Sequence, residues 1–360
     1  MPKTWKASLA FDAKLPGDID FTTEFIYNRD LNPVVVSNAN VYWDGSSTVD
    51  LGHGDVRHKM STYNKQSAYV LENAGSKAYY ASLSFQLHKA FDFGLDLNAS
   101  YTLSTAKSYT EGIGDQVSSA YNNYRNSINA VNDNETGYAT YVAPNRLLIG
   151  ASYKLKESKY ATSTFSLVYD AYQYAYLGSY AYSRYSYIFT SNINNDPSAP
   201  GNLIYVPASR QELNNWDFAE SKVNGETYTA EMQRNDFWEF IQQDDYLKNR
   251  TGKYAERGGA KMPWHHQLDF RYLRDMSIQI GKTRHALQLG MDVENLLNFL
   301  CKDWGLYKQI TGNTLLSYDA KNNQYTYNLV DGERHLSTSQ NYENTASTYR
   351  IMFTIRYLFN

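Results

Sequence analysis

Apolar and polar residues alternate with a period of two along much of this chain. In 5–15, Trp5, Ala7, Leu9, Phe11, Ala13 and Leu15 fall on one side, with Lys6, Ser8, Asp12 and Lys14 between them. Residues 18–28 set Ile19, Phe21, Phe25 and Tyr27 against Asp20, Thr22, Glu24 and Asn28. Residues 77–89 set Tyr79, Ala81, Leu83, Phe85 and Leu87 against Ser82, Ser84, Gln86 and His88. In 94–107 the apolar set is Leu95, Leu97, Ala99, Tyr101 and Leu103, and in 146–155 it is Leu147, Ile149, Ala151, Tyr153 and Leu155. The stretch 162–177 opens with Phe165, Leu167, Tyr169 and Ala171. Residues 264–274 and 285–297 repeat the pattern, with Leu268, Phe270 and Tyr272 in one and Leu287, Leu289, Met291 and Val293 in the other. In 349–359, Tyr349, Ile351, Phe353, Ile355, Tyr357 and Phe359 alternate with Arg350, Met352, Thr354, Arg356 and Leu358. Sustained alternation of this kind predicts about nine strands, each with one apolar face.

The connections alternate too. Short ones fall at 15–18, 90–93, 156–160 and 279–284, and long ones at about 31–76, 108–145, 178–262 and 301–345. Several loops of that length are uncommon in an ordinary compact domain. In an outer-membrane barrel, short turns at one end and long loops at the other are the expected arrangement. Leu97, Leu289 and Phe353 are then expected to point outward, and Asn98, Gln288 and Arg350 inward. Tyr349 and Tyr357 lie roughly 26 Å apart along a strand. With a strand tilt near 40°, that places both close to the two edges of a roughly 25 Å apolar band, where tyrosine is favoured.

Composition removes other classes. The 360-residue chain has a formal charge of -3, so no basic excess points to nucleic acid. Its one cysteine, Cys301, has no disulfide partner and excludes a multi-cysteine metal site. A mean hydropathy of -0.59 fits no spanning helix, but alternating membrane strands keep the average low. The 34 tyrosines exceed what strand ends require, and those in the long loops are left without a role. The start, "MPKTWKASLAFDAKLPG", shows no basic segment followed by an apolar run, hence no signal peptide.

Candidate chemistry is sparse. His265 and Asp269 share a strand face, but their spacing fits no helical zinc motif, and a lumen-lining role is the expectation. His266 points the other way, beside Trp264. "GIGDQV" at 112–117 lacks the third glycine of a nucleotide-binding loop. "NDNE" at 132–135 and "NNDPSAPGN" at 194–202 are oxygen-rich; turn formation is the expected role, with a loop calcium site as the sharper alternative. In the longest loop, "NDFWEFIQQDDYL" predicts a short helix with Asn235 as N-cap and Asp236 favourable to its dipole. Phe237, Trp238, Phe240, Ile241 and Leu247 form its apolar side. Packing on the barrel mouth is its expected role; the alternative is a ligand-facing rim with Trp216 and nearby tyrosines stacking on a sugar or aromatic group. No catalytic, cofactor-binding or metal-binding residue is assigned.

Longer stretches carry a family likeness. "LNASYTLSTAKS" at 97–108, "APNRLLIGASYKL" at 143–155, "NLIYVPAS" at 202–209, "YLKNRTGKYAERGGAKMPWHHQLDFRYLRD" at 246–275 and "LQLGMDVENLLNFLCKDWG" at 287–305 occur in this order. Together they resemble the C-terminal part of TonB-dependent outer-membrane receptors of the Oar-like and SusC-like branch. The closing strand resembles the terminal assembly strand of such barrels, although Asn360 follows Phe359. The resemblance implies a 22-stranded barrel, an N-terminal plug pulled by the TonB complex, energised nutrient uptake, and in some members a surface lipoprotein partner.

The expectation is therefore an all-β, antiparallel, up-and-down transmembrane β-barrel, present in part. Residues 1–360 are read as about nine to twelve strands of the receptor barrel, without plug or signal peptide. Outer-membrane lipid is the expected surroundings, with no enzyme activity and no nucleic acid. A complete small porin or adhesin barrel, and a surface glycan-binding β protein, are the alternatives.

Overall fold

The computed structural model describes residues 1–359 except 112–114, 124, 178–179, 191, 198–200, 331–337 and 344. Nine long strands form one antiparallel sheet: β1 (Lys3–Leu15), β2 (Ile19–Leu31), β3 (Tyr79–Ala90), β4 (Leu95–Ser108), β5 (Asn145–Lys156), β6 (Ala161–Gln173), β7 (Trp264–Ile280), β8 (Thr283–Glu294) and β9 (Arg350–Phe359). Each strand pairs with its neighbours in sequence, so the sheet is an up-and-down meander from β1 to β9. The two-residue strand Gly137–Tyr138 adds to the upper end of β4. Among the described residues β1 and β9 do not pair with each other, so the sheet is open.

Short turns join β1 to β2, β3 to β4, β5 to β6 and β7 to β8, all at one end. Gly17 at φ 82°, Asp18 at φ 54° and Gly281 at φ 61° adopt the left-handed backbone that such tight reversals need. The four long connections lie at the other end.

The register is staggered. One row runs Lys14–Asp20–His88–Asn98–Gly150–Val168–Asp269. Lys14 is one residue from the turn end of β1, whereas Asp269 is eleven residues from the turn end of β7 (15 − 14 against 280 − 269). That slip of ten residues accrues over six strand steps. At about 3.3 Å per residue and about 4.8 Å between strands, it corresponds to a tilt of roughly 45–50°.

The hydrophobic core is not in this sheet. Among the nine strands and the described residues, only Ala106, Ala171 and Val293 are buried apolar side chains. The main core consists of loop residues: Leu51 from the first long loop, Tyr187 to Ala260 from the third, and Leu315, Leu316, Tyr318, Tyr325 and Tyr327 from the fourth, with Ile128 of the second packed against it. The four long connections thus fold together into a cap. Two hairpins extend from the first loop, Val34–Asn38 with Tyr69–Asn73 and Val41–Asp50 with Val56–Thr62.

Some boundaries differ from expectation. The cap helix spans Ala230–Gln243 and is capped by Thr229, whose side chain accepts from the Met232 N–H. Asn235 is therefore an interior helical residue, its side chain bonded to Arg210. The good helix formers Ala230, Glu231, Met232, Gln233 and Arg234 carry the helix upstream of the aromatic run. Strand β8 ends at Glu294, short of residue 297. Asn295 turns into the left-handed region at φ 55° and the helix Leu296–Leu300 follows.

Candidate functional site

The two faces of the sheet are chemically distinct. Leu9, Phe25, Phe85, Ile149, Leu167, Phe353 and Ile355 are exposed on one face, and Phe353 and Ile355 are 75% and 76% accessible. Their rows are continuous across strands, as in Leu97–Ala151–Leu167–Phe270–Val293–Ile351. Leu97, Leu289 and Phe353 share this face, and Asn98, Gln288 and Arg350 share the other, as the alternation required. An apolar surface of this extent is a binding surface rather than ordinary exposure.

Aromatic residues mark both ends of that face. Toward the long loops, Trp5 meets Tyr27 with centroids 5.8 Å apart, and Tyr27 meets Tyr79 at 6.4 Å. Trp264 and Tyr349 lie at the same end of their strands, and Phe299 stands edge-on to Tyr349 at 5.1 Å. Toward the turns, Phe91, Phe93 and Tyr153 form a chain of ring contacts, and Phe165 packs on Tyr272 at 5.0 Å.

The opposite face is polar and largely paired. Arg146 makes a bidentate bond to Asp170, Arg271 lies 3.1 Å from Asp292, and Gln288 donates to Asp275. Gly150 and Gly290 also lie on this face. A Cβ at Gly150 would stand 2.6 Å from the Asn98 amide, so glycine admits the neighbouring side chain.

In the cap, buried arginines join different loops. Arg57 is fully buried, binds Asp55 through two bonds of 2.8 Å, and donates to the carbonyls of Ile128 and Leu203. The rings of Phe189 and Tyr254 flank its guanidinium at 5.3 and 5.2 Å. Arg125 donates to the carbonyls of Val36 and Val131; burial pushes its guanidinium down to about 10. Arg257 donates to the carbonyls of Ser108 and Tyr109. Several loop tyrosines now have a role: they are core residues whose hydroxyls tie loops together. Tyr325 reaches the Leu51 carbonyl, Tyr318 the Asp50 carbonyl and Tyr187 the Asp244 carboxylate. Burial raises the Tyr325 and Tyr187 hydroxyls above the ordinary phenol range.

The residues singled out from sequence sort as follows. His265 is buried, stacked on Tyr307 with centroids 3.8 Å apart, and its Nδ1 faces the Leu306 carbonyl. Asp269 instead accepts from Gln267 and from the Asn295 N–H. The two are not brought together as an acid–base pair. His266 lies on the other face, bonded to the Tyr169 hydroxyl at 2.7 Å and stacked near Trp264. Phe237, Phe240, Ile241 and Leu247 are buried, so the cap helix packs as expected. Trp216 is only 2% exposed, which removes it from the ligand-facing rim. It stacks on Tyr325 at 4.7 Å and on His53 at 5.1 Å.

The two oxygen-rich loops fold against each other. Asp196 accepts from the Val131 N–H, and Asn194 donates to the Asn129 carbonyl. Asn132 bonds the backbone of Asn38 and Val41. Among the described residues no cluster of three His, Cys, Asp or Glu side chains offers a metal site. Of "GIGDQV", 112–114 lie outside the described residues. Cys301 is a free thiol just past the Leu296–Leu300 helix. Among the described residues no helix is long and apolar enough to cross a membrane.

A cleft of about 720 Å³ opens beside the C-terminal end of the cap helix, lined by Tyr185, Asp244, Tyr246, Lys261, Trp264 and Thr338 among others. It offers carboxylates, an ammonium and aromatic faces. Burial holds the Tyr246 hydroxyl up at about 12. Sequence alone did not single out this cleft, because its walls come from residues far apart in the chain. No family model, no curated protein and no solved structure matches this chain.

Proposed function

We propose that the nine strands are part of the wall of an outer-membrane β-barrel, with the apolar face toward lipid and the polar face toward a water-filled lumen. The observation that carries this reading is the placement of the core. The long loops hold most of the buried apolar residues while the sheet leaves most of an apolar face uncovered. In water that face is a large cost, whereas in hydrocarbon it is the favoured solvent. Strands of 10 to 17 residues suit the thickness of a bilayer. The stagger suits the tilt of membrane strands, and the aromatic ends suit the two interfaces.

With the sequence resemblance, the reading extends to function. The wall belongs to a TonB-dependent receptor that imports a nutrient under energy supplied by the TonB complex acting on a plug domain. The cap is then the outer face that meets the nutrient, and a surface lipoprotein is a candidate partner. The role is transport, with no catalysis. Membrane fractionation tests the wall: assembled within a closed barrel, the chain should sediment with outer membranes and resist alkaline carbonate washing. Full release into the aqueous phase without detergent would overturn it. Loss of uptake on deleting the TonB energy source tests the transport reading separately.

A further inference from the structure

On the polar face, cations near the long loops and in the first hairpin, Lys6 excepted, have carboxylate partners: Lys14 with Asp20, Arg146 with Asp170, Arg271 with Asp292 and Arg350 with Glu294. The turn end of β5 to β9 breaks this rule. Lys154, Lys156, Lys159 and Arg284 line a recess of about 390 Å³. Arg356 shares a row with Lys156 through Thr162, Asp275 and Gln288. Among the described residues none of these five cations has a carboxylate partner. Lys159 lies over the Tyr160 ring, and Arg284 reaches only the Ser277 hydroxyl at 3.4 Å. The one carboxylate lining the recess, Asp275, already accepts from Gln288 at 2.8 Å.

The relief of this surface matters as much as its charge. Between the cations lie six small side chains, Thr162, Thr164, Ser277, Ala286, Gly290 and Thr354, with Leu273, Asp275 and Gln288 in the same rows. Lys156 and Arg356 are four strand spacings apart, or about 19 Å at about 4.8 Å each. The result is a trough with cationic edges and a shallow floor, closed on one side by Leu358 and Phe359.

We propose that this trough docks an acidic peptide segment. Its cations are spread along a strip and do not converge on one point, as they would around a single phosphate. An extended chain with carboxylates at intervals matches both the spacing and the low floor, and it neutralises charges that otherwise repel across the sheet. The inference rests on the wall reading only in taking the polar face as the wet one.

The test uses the full chain in detergent micelles and a fluorescent oligoglutamate peptide, read by anisotropy. The double variant Lys154→Glu/Lys156→Glu should weaken binding about tenfold, since each lost pair contributes about 0.2–1 kcal/mol and reversal adds repulsion. Arg284→Gln, a milder change, should weaken it about threefold with an unchanged melting curve. Arg146→Gln, at a paired site, should leave binding within about twofold. Raised salt should weaken binding to the wild type, and oligoglutamine should not bind. Peptide affinity unaffected by both trough variants would overturn the proposal. So would displacement of the peptide by inorganic phosphate at equal ionic strength, which would mark a small-anion site. Failure of the chain to sediment with membranes, with trough binding intact, would count against the wall alone.

Discussion

Arg57 shows how single residues hold the cap. Its guanidinium is wholly buried and makes four hydrogen bonds, two to Asp55 and two to carbonyls of other loops. Arg57→Ala leaves Asp55 buried without its partner, so it should destabilise the cap by about 3–5 kcal/mol. Arg57→Met with Asp55→Asn removes both charges and should cost clearly less than Arg57→Ala. Denaturant titration followed by tryptophan fluorescence compares them; equal penalties would mean that the charge pair is not what the cap depends on. Glu111 gives a pH signature. Burial raises its carboxyl above the ordinary 4.5, although Thr140 and Ser108 donate to it. Between 4.5 and that raised value the folded cap binds more protons than the unfolded chain, so stability falls as pH rises through the window. The contribution of Glu111 is fully present below 4.5. The hydrogen-exchange protection factor of the Thr140 amide, which donates to Glu111, corrected for the intrinsic pH dependence of exchange, should therefore fall across this window, and Glu111→Gln should flatten the change.

At the scale of elements, the faces of the strands are the testable feature. Leu167 lies mid-strand on the apolar face of β6, and Ser166, one residue back, meets Ser152 on the polar face. Leu167→Arg should cost about 2–4 kcal/mol in vesicle unfolding, and Ser166→Arg much less. Similar penalties would mean that both faces meet the same medium. The cap helix should behave as a soluble helix: Phe240→Ala should cost about 3–5 kcal/mol, and Thr229→Ala about 0.5–2 kcal/mol as a lost cap. The strands were legible in the sequence because period two is a local signal, and each of the nine has its counterpart in the sheet. The cap was far less legible. Trp216, Tyr325 and Leu51 meet through contacts hundreds of residues apart, which no periodicity records. The missed start of the helix has a local cause. Thr229 is also a capping residue, though Asn is the stronger cap type, and the aromatic run drew the boundary toward Asn235.

At the scale of the whole molecule, an open sheet with a greasy face cannot stand alone in a bilayer. The free edges of β1 and β9 expose backbone groups, each of which costs several kcal/mol in hydrocarbon. Expressed by itself with an export signal, the chain should self-associate or be degraded, without supporting uptake. A stable, heat-modifiable monomer with TonB-dependent uptake would contradict that. The central claim, that one sheet face meets lipid, is tested independently of edge pairing by scanning β6. Single cysteines placed in turn at 164 to 170 on a Cys301→Ser background carry a fluorophore in vesicles with brominated acyl chains. The account predicts strong quenching by lipid at Phe165, Leu167 and Tyr169, and quenching by aqueous iodide at Thr164, Ser166, Val168 and Asp170. Uniform iodide access at all seven positions, or lipid quenching without a period of two, would contradict it.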